Sequence, residues 1–103
     1  MDAMLAQADE VSQLLKLIAN KHRLMALCAL VEQPRNVTEL IEIVGIAQTS
    51  MSNHLAILRE ANIVDFTRDH RTLTYYISND NLQIILATLH GLYCSDFAKS
   101  VNQ

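Results

Sequence analysis

Apolar residues recur at Met4, Ala8, Val11, Leu15 and Ile18, in steps of four and three. That spacing predicts a helix of about 16 residues with a coiled-coil-like seam. Leu5, Leu14 and Leu17 add a second apolar flank, more than one face against a monomer core requires. Asn20 stands where an N-cap is needed for a second helix, from Lys21 to Glu32, with the stripe Leu24, Leu27, Cys28 and Val31. Gln33-Pro34-Arg35 ends it, because proline disfavours helix in the residue before it. Asn36, with Glu39 three positions on, has the form of a capping box for a short third helix. That helix buries Val37, Leu40, Ile41 and Val44, and Gly45 closes it as a left-handed terminal residue.

Ile46-Ala47 makes a tight turn into a fourth helix, Gln48 to Ala61. Met51, Leu55 and Leu58 form its buried side; Gln48, Thr49, Ser50, Ser52, Asn53 and Arg59 form the other. Two short helices joined by a glycine-containing turn, the second polar on its outer face, make a helix-turn-helix. The period then changes to two. Val64, Phe66 and Arg68 alternate with Asp65 and Thr67, and Thr72 to Ile77 is rich in β-branched and aromatic residues. Around Asp69-His70-Arg71 this reads as a hairpin with a polar tip, a wing. A last helix runs from Asp80 to Ser100, with one seam at Leu82, Ile85, Leu89 and Leu92 and a second at Leu86, Tyr93 and Phe97. The predicted fold class is therefore mainly α, a winged helix-turn-helix with four helices, two strands and a fifth helix. The terminal helices carry surplus apolar surface, which predicts a homodimer formed by the first and last helices across a two-fold axis.

Composition changes this picture little. A chain of 103 residues has room for one core, so residues 1–103 are expected to form a single domain. Two glycines and one proline leave few breaks, as a helix-rich chain needs. Met1-Asp2-Ala3-Met4 has no basic cluster leading into an apolar run, and no apolar stretch reaches the roughly 18–20 residues of a membrane span, so a cytoplasmic location away from membranes is expected. In a reducing compartment, two cysteines are buried thiols, metal ligands or redox groups rather than a disulfide framework.

The net charge of −3 does not favour nucleic acid, but its distribution matters more. The acidic excess lies at Asp2, Asp9, Glu10, Glu32, Glu39 and Glu42, whereas Arg59, Arg68 and Arg71 balance Glu60, Asp65 and Asp69 across residues 48–77. A recognition helix presents its N-terminal residues to base edges in the major groove. Gln48, Thr49, Ser50, Ser52 and Asn53 suit that role, because Asn and Gln pair with adenine and Ser and Thr reach bases or phosphates. Arg68, His70 and Arg71 at the wing tip are placed to touch the DNA backbone or minor groove. The same residues could instead be an ordinary solvated face.

The run Leu17 to Leu24, the stretch Gln48 to Arg59 and the wing ending Tyr75-Tyr76-Ile77 resemble the ArsR/SmtB repressors over nearly the whole chain. The most specific part is Ser-x-His-Leu-x-x-Leu-Arg at Ser52 to Arg59, which brings His54 into the DNA-binding set. One departure is Ala47, where the family often has a serine that caps the recognition helix. The resemblance implies a dimeric repressor of double-stranded operator DNA carrying an inverted repeat, with no enzyme activity and no cofactor.

Members of the family sense metals, or sulfur and redox chemistry. The metal sensors' third-helix thiolate motif is missing: Thr38-Glu39-Leu40-Ile41-Glu42 has no cysteine, and the last helix offers only Asp80, His90 and Cys94. No metal site is expected, since a tetrahedral one needs about four ligands. The phrases around Cys28 and Cys94 instead resemble the family's dithiol subgroup. This implies redox sensing by Cys28 and Cys94, with a persulfide or another thiol oxidant as inducer, and control of sulfide-detoxification genes. Competing readings are a metal-responsive repressor, an anti-silencing regulator of virulence genes, a thiol oxidoreductase (weakened by the lack of Cys-x-x-Cys) and a protein-interaction module. His90, one turn before Cys94, is either a helper of thiolate formation or a partly buried polar residue of the dimer seam.

Overall fold

The computed structural model describes residues 2–94, and the side chains of residues 3–93. The expected extension of the last helix to Ser100, Phe97 and the Cys94 side chain lie outside the described residues. The element order is α1 (Asp2–Ile18), α2 (Lys21–Glu32), β1 (Arg35–Asn36), α3 (Val37–Val44), α4 (Gln48–Glu60), β2 (Val64–Asp69), β3 (Thr72–Ile77), α5 (Asp80–Leu89) and a π-helical turn (His90–Cys94).

The polar punctuation of the chain acts where its chemistry requires. Asn20 Oδ1 accepts from the backbone N–H groups of His22 and Arg23, satisfying donors that the first turn of α2 leaves open. Asn36 and Glu39 form the reciprocal capping box of α3. Gly45 ends α3 at φ 78°, and its N–H donates to the Ile41 carbonyl at 2.8 Å. Asn62 lies just past α4 in the left-handed region at φ 61°, and His70 enters the two-residue wing turn at φ 59°, both residue types that tolerate this region.

Helix α2 is the axle of the fold. Ala26, Leu27, Cys28, Ala29 and Leu30 are all buried, on every side of the helix. The predicted stripe meets the core, with Leu24 and Val31 partly covered against it, and Ala26, Ala29 and Leu30 join it because α1, α3, α4, α5 and β3 surround α2. Leu40, Met51, Leu55, Leu58, Ile63, Val64, Leu82 and Leu86 complete the fully buried set.

The sheet has three antiparallel strands in the order β1-β3-β2, one more than the sequence pattern predicts. Arg35 pairs with Tyr75 and Asn36 with Thr74, so the two residues after Pro34 anchor the root of the wing. In the hairpin Phe66 lies opposite Tyr75, with ring centroids 5.3 Å apart in an edge-on contact.

In the last helix, Leu82 of one predicted seam and Leu86 of the other face the chain's own core, while Ile84, Ile85, Leu92 and Tyr93 are exposed. At His90 the helix switches to π geometry, which adds a residue per hydrogen-bonded turn and re-aims the segment beyond it. Along α1, Met4, Leu5, Val11 and Leu15 are exposed, and among its described side chains only Ile18 is buried. Among the described residues, no helix is long and apolar enough to cross a membrane.

Candidate nucleic-acid interface and thiol site

Helix α4 rests on Met51, Leu55 and Leu58, each no more than 1% exposed. That rigid footing turns Gln48, Thr49, Ser50, Ser52 and Asn53 outward, where all five are exposed. None of these side chains is hydrogen-bonded to another described residue, so the row is available to an external partner. Helix α3 packs against α4, joined to it by the tight Gly45–Ala47 turn.

Ala47 holds the N-cap position of α4 in extended geometry (φ −65°, ψ 153°) and supplies no side-chain acceptor. Ala47→Ser is therefore expected to stabilise the fold by about 1 kcal/mol, the ordinary worth of such a cap. Chemical denaturation checks this: the midpoint should rise with an unchanged slope. An unchanged midpoint would mean that the first turn of α4 is already satisfied another way.

Arg59 links the end of α4 to the root of the wing. Arg59 Nε donates to Asp65 Oδ1 at 3.1 Å, and the guanidinium lies 4.2 Å from the Phe66 ring centroid. Asp65 also accepts from the Phe66 backbone N–H at 2.8 Å. That bond first, and Arg59 second, hold its carboxyl below the usual carboxylate range. Arg59 is thus a brace at the root of the wing. Arg68, His70 and Arg71 are exposed beyond it. His70 Nε2 lies 3.6 Å from Asp69 Oδ1, both side chains nearly fully solvated, a pairing of little energetic weight.

His54 differs from its neighbours on α4. It is half-buried, and its Nδ1 accepts from Arg23 Nε at 3.2 Å. Burial first, then the nearby charges of Arg23 and His22, push its pKa below the ordinary histidine value. The structure thus sets His54 at the edge of the polar row, backed by α2.

The thiol region is also built on α2. Cys28 is buried at mid-helix. One turn on, Glu32 Oε2 accepts from His90 Nε2 at 2.8 Å and its Oε1 accepts from Arg35 Nη2 at 2.7 Å. Arg35 Nε donates to the Ala29 carbonyl at 2.9 Å. The hydrogen bond from His90 is the chief cause that holds the Glu32 carboxyl below its ordinary value. These bonds join the end of the last helix, α2 and the root of the wing. Cys94 lies one turn beyond His90 on the π-helical segment, and its side chain is outside the described residues. His90 is partly buried and bonds to a carboxylate of α2, a partner that neither sequence-based reading names. Among the described residues, no group of three or more His, Cys, Asp or Glu side chains is clustered to hold a metal ion.

Arg23, Glu32 and Arg35 are the residues that sequence reasoning missed. Arg23 meets His54 across 31 positions and Glu32 meets His90 across 58, with no local pattern to mark either pair, whereas Arg35 and Glu32 form a local pair three positions apart.

Comparison with known proteins gives a consistent picture. The profile described as "Bacterial regulatory protein, arsR family" matches residues 20–65, from the cap of α2 into β2. The chain is 36% identical over 90 residues to the HTH-type transcriptional regulator YgaV of Escherichia coli, covering 86% of this chain and 91% of that protein. It is 36% identical over 93 residues to the biofilm growth-associated repressor of Agrobacterium fabrum, covering 90% of this chain and 80% of that one. The solved structure of reduced HlyU from Vibrio cholerae superposes with a TM-score of 0.86 at 32% identity, covering 91% of this chain and 99% of that one.

Proposed function

Since this chain belongs to the arsR family of bacterial regulatory proteins, we propose that it is a dimeric, DNA-binding transcriptional repressor that leaves its operator when Cys28 and Cys94 react with a persulfide or a related oxidant. The observation that carries the DNA reading is the row Gln48, Thr49, Ser50, Ser52 and Asn53, exposed and unengaged on a helix held rigid from below. Arg68 and Arg71 on the wing supply backbone contacts on its flank. Bases are read by the row and phosphates by the wing. The exposed apolar stripes on α1 and α5 support a homodimer. A two-fold dimer reads an inverted repeat whose half-site centres are roughly 34–36 Å apart, one turn or a multiple.

The test is selection of duplexes from a random-sequence pool, followed by binding at several salt concentrations. Asn53→Ala is expected to relax base preference at one position per half-site, by about tenfold. Arg71→Ala is expected to weaken all duplexes alike and to reduce the salt slope by about one for each phosphate it no longer pairs with. A changed base preference in Arg71→Ala, with none in Asn53→Ala, would mean that the reading head is assigned to the wrong element.

The sulfur chemistry balances with the persulfide as sole oxidant. Each of two glutathione persulfide molecules transfers its outer sulfur to one cysteine thiolate, with glutathione thiolate leaving. The terminal sulfur of one cysteine persulfide then attacks the Sγ of the other. Hydrosulfide leaves, and a trisulfide closes between the two residues. A solved structure of the relative HlyU is described as reduced, which is in keeping with a redox-sensitive reading of the thiols here. The π-helical turn that carries Cys94, tied to α2 through His90 and Glu32, supports a last helix whose position depends on what happens beside Cys28.

A further inference from the structure

We propose that Arg23 is a positioning residue that fixes His54 as a neutral hydrogen-bond donor, through Nε2–H, to a phosphate oxygen of bound DNA. The inference rests on the DNA-binding reading above and extends it to a contact that carries no charge.

The geometry begins at the cap of α2. Asn20 holds the backbone of Arg23, and Arg23 Nη1 donates to the Leu17 carbonyl near the end of α1 at 3.1 Å. These bonds orient the guanidinium, whose Nε donates to His54 Nδ1 at 3.2 Å. Guanidinium has donors only and keeps its charge, so Nδ1 must present a lone pair. A neutral imidazole with its lone pair on Nδ1 carries its proton on Nε2. A second proton on the ring would remove the acceptor and set a cation against Arg23. The His22 ring stands 6.0 Å away, tilted by 52°, and adds to that penalty.

Nε2–H is left as an unspent donor. It makes no hydrogen bond to another described residue. No fully buried side-chain nitrogen or oxygen lacks a partner among the described residues, so the unpartnered Nε2 of half-buried His54 is not sealed inside the fold. His54 follows Asn53 directly but is half-buried, at the margin of the exposed row. A residue set back from the reading row meets the sugar-phosphate wall of the groove sooner than a base edge. Phosphate oxygens are acceptors only and take donors of either charge state. A neutral donor adds affinity without displacing a counterion, so it leaves the salt dependence untouched. That property separates His54 from Arg68 and Arg71. Arg23 also joins α1 to α4 through one side chain, so a shift of the dimer helix reaches the donor directly.

The test uses the full chain and a duplex selected by the wild-type protein from a random-sequence pool. His54→Asn, whose amide mimics only the Nδ1 end of the ring, should weaken binding about tenfold with an unchanged salt slope, as loss of one hydrogen bond to a charged group would. His54→Gln, whose amide nitrogen reaches the Nε2 position, should recover most of that loss. Imidazole nitrogen NMR should show the Nε2–H tautomer in the wild type at neutral pH, and a mixture in Arg23→Gln. Wild-type affinity in His54→Asn, a flattened salt slope in that variant, or a charged or Nδ1–H ring in the wild type would overturn the proposal while leaving the DNA reading intact. Failure of the wild-type protein to select any duplex would instead overturn the reading beneath it.

Discussion

Replacing Val11 and Leu15 together by glutamate is expected to convert a dimer into a monomer and to weaken operator binding by about a hundredfold or more. Val11 is 48% exposed and Leu15 44%, and with Met4 and Ala8 they line one outward stripe of α1. Ile84 and Ile85 on α5, and Leu92 beyond it, leave further apolar surface uncovered. A patch of this kind on so small a chain marks an interface. Two charges facing their own symmetry copies across a two-fold axis would be desolvated and would repel. The monomer fold should survive, because α1 packs on its own core through Leu14, Leu17 and Ile18 instead. A monomer loses the linkage between half-sites, which is worth about 10²–10⁴ in apparent affinity. Sedimentation and duplex binding on the same sample check this. A variant that stays dimeric, or a monomer that binds as tightly as the wild type, would place the dimer surface elsewhere.

The elements are legible in the sequence where local chemistry dictates them. Asn20, the Asn36–Glu39 pair and Gly45 announce helix ends because a cap is built from residues within one turn of each other. The buried triplet Met51, Leu55 and Leu58 decides which side of α4 faces outward, so the candidate reading row follows from spacing alone. Other features are not legible. Strand β1 is two residues long, too short to show alternation, and exists because β3 offers an edge at Thr74 and Tyr75. The switch to π geometry at His90 has no residue pattern of its own. The hydrogen bonds Arg23–His54 and Glu32–His90 depend on helices meeting in space. The two predicted seams of the last helix run through Leu82 and Leu86, and both of these residues are wholly buried. Periodicity reveals that a helix has two apolar faces and not which one meets the chain's own core.

The second large effect concerns sulfur. Glutathione persulfide is expected to lower wild-type operator affinity by about tenfold to a hundredfold, the span of an ordinary allosteric coupling. Cys28→Ser and Cys94→Ser should each stay on DNA under the same treatment. Cys28 is fixed at the middle of the most enclosed helix, far from the helix N-terminus that would favour its thiolate. A direct disulfide needs Cα atoms about 4.4–6.8 Å apart, and each inserted sulfur extends the reach by up to about 2 Å. A bridge of three or four sulfurs therefore closes with less helix movement than a disulfide. Such a bridge is expected to tie α2 to the end of the last helix beside the Glu32–His90 pair. Because Arg35 bonds Glu32 and pairs with Tyr75 at the root of the wing, the expected result is a shift of the two candidate recognition helices out of common register with the DNA.

The most direct test is the intact mass of the protein that persulfide releases from a selected duplex. The account predicts an intrachain Cys28–Cys94 bridge at least one sulfur heavier than a disulfide, found in the released fraction and absent from the fraction still bound. Release of Cys28→Ser or Cys94→Ser as readily as the wild type, or a released fraction with both thiols unbridged, would contradict it.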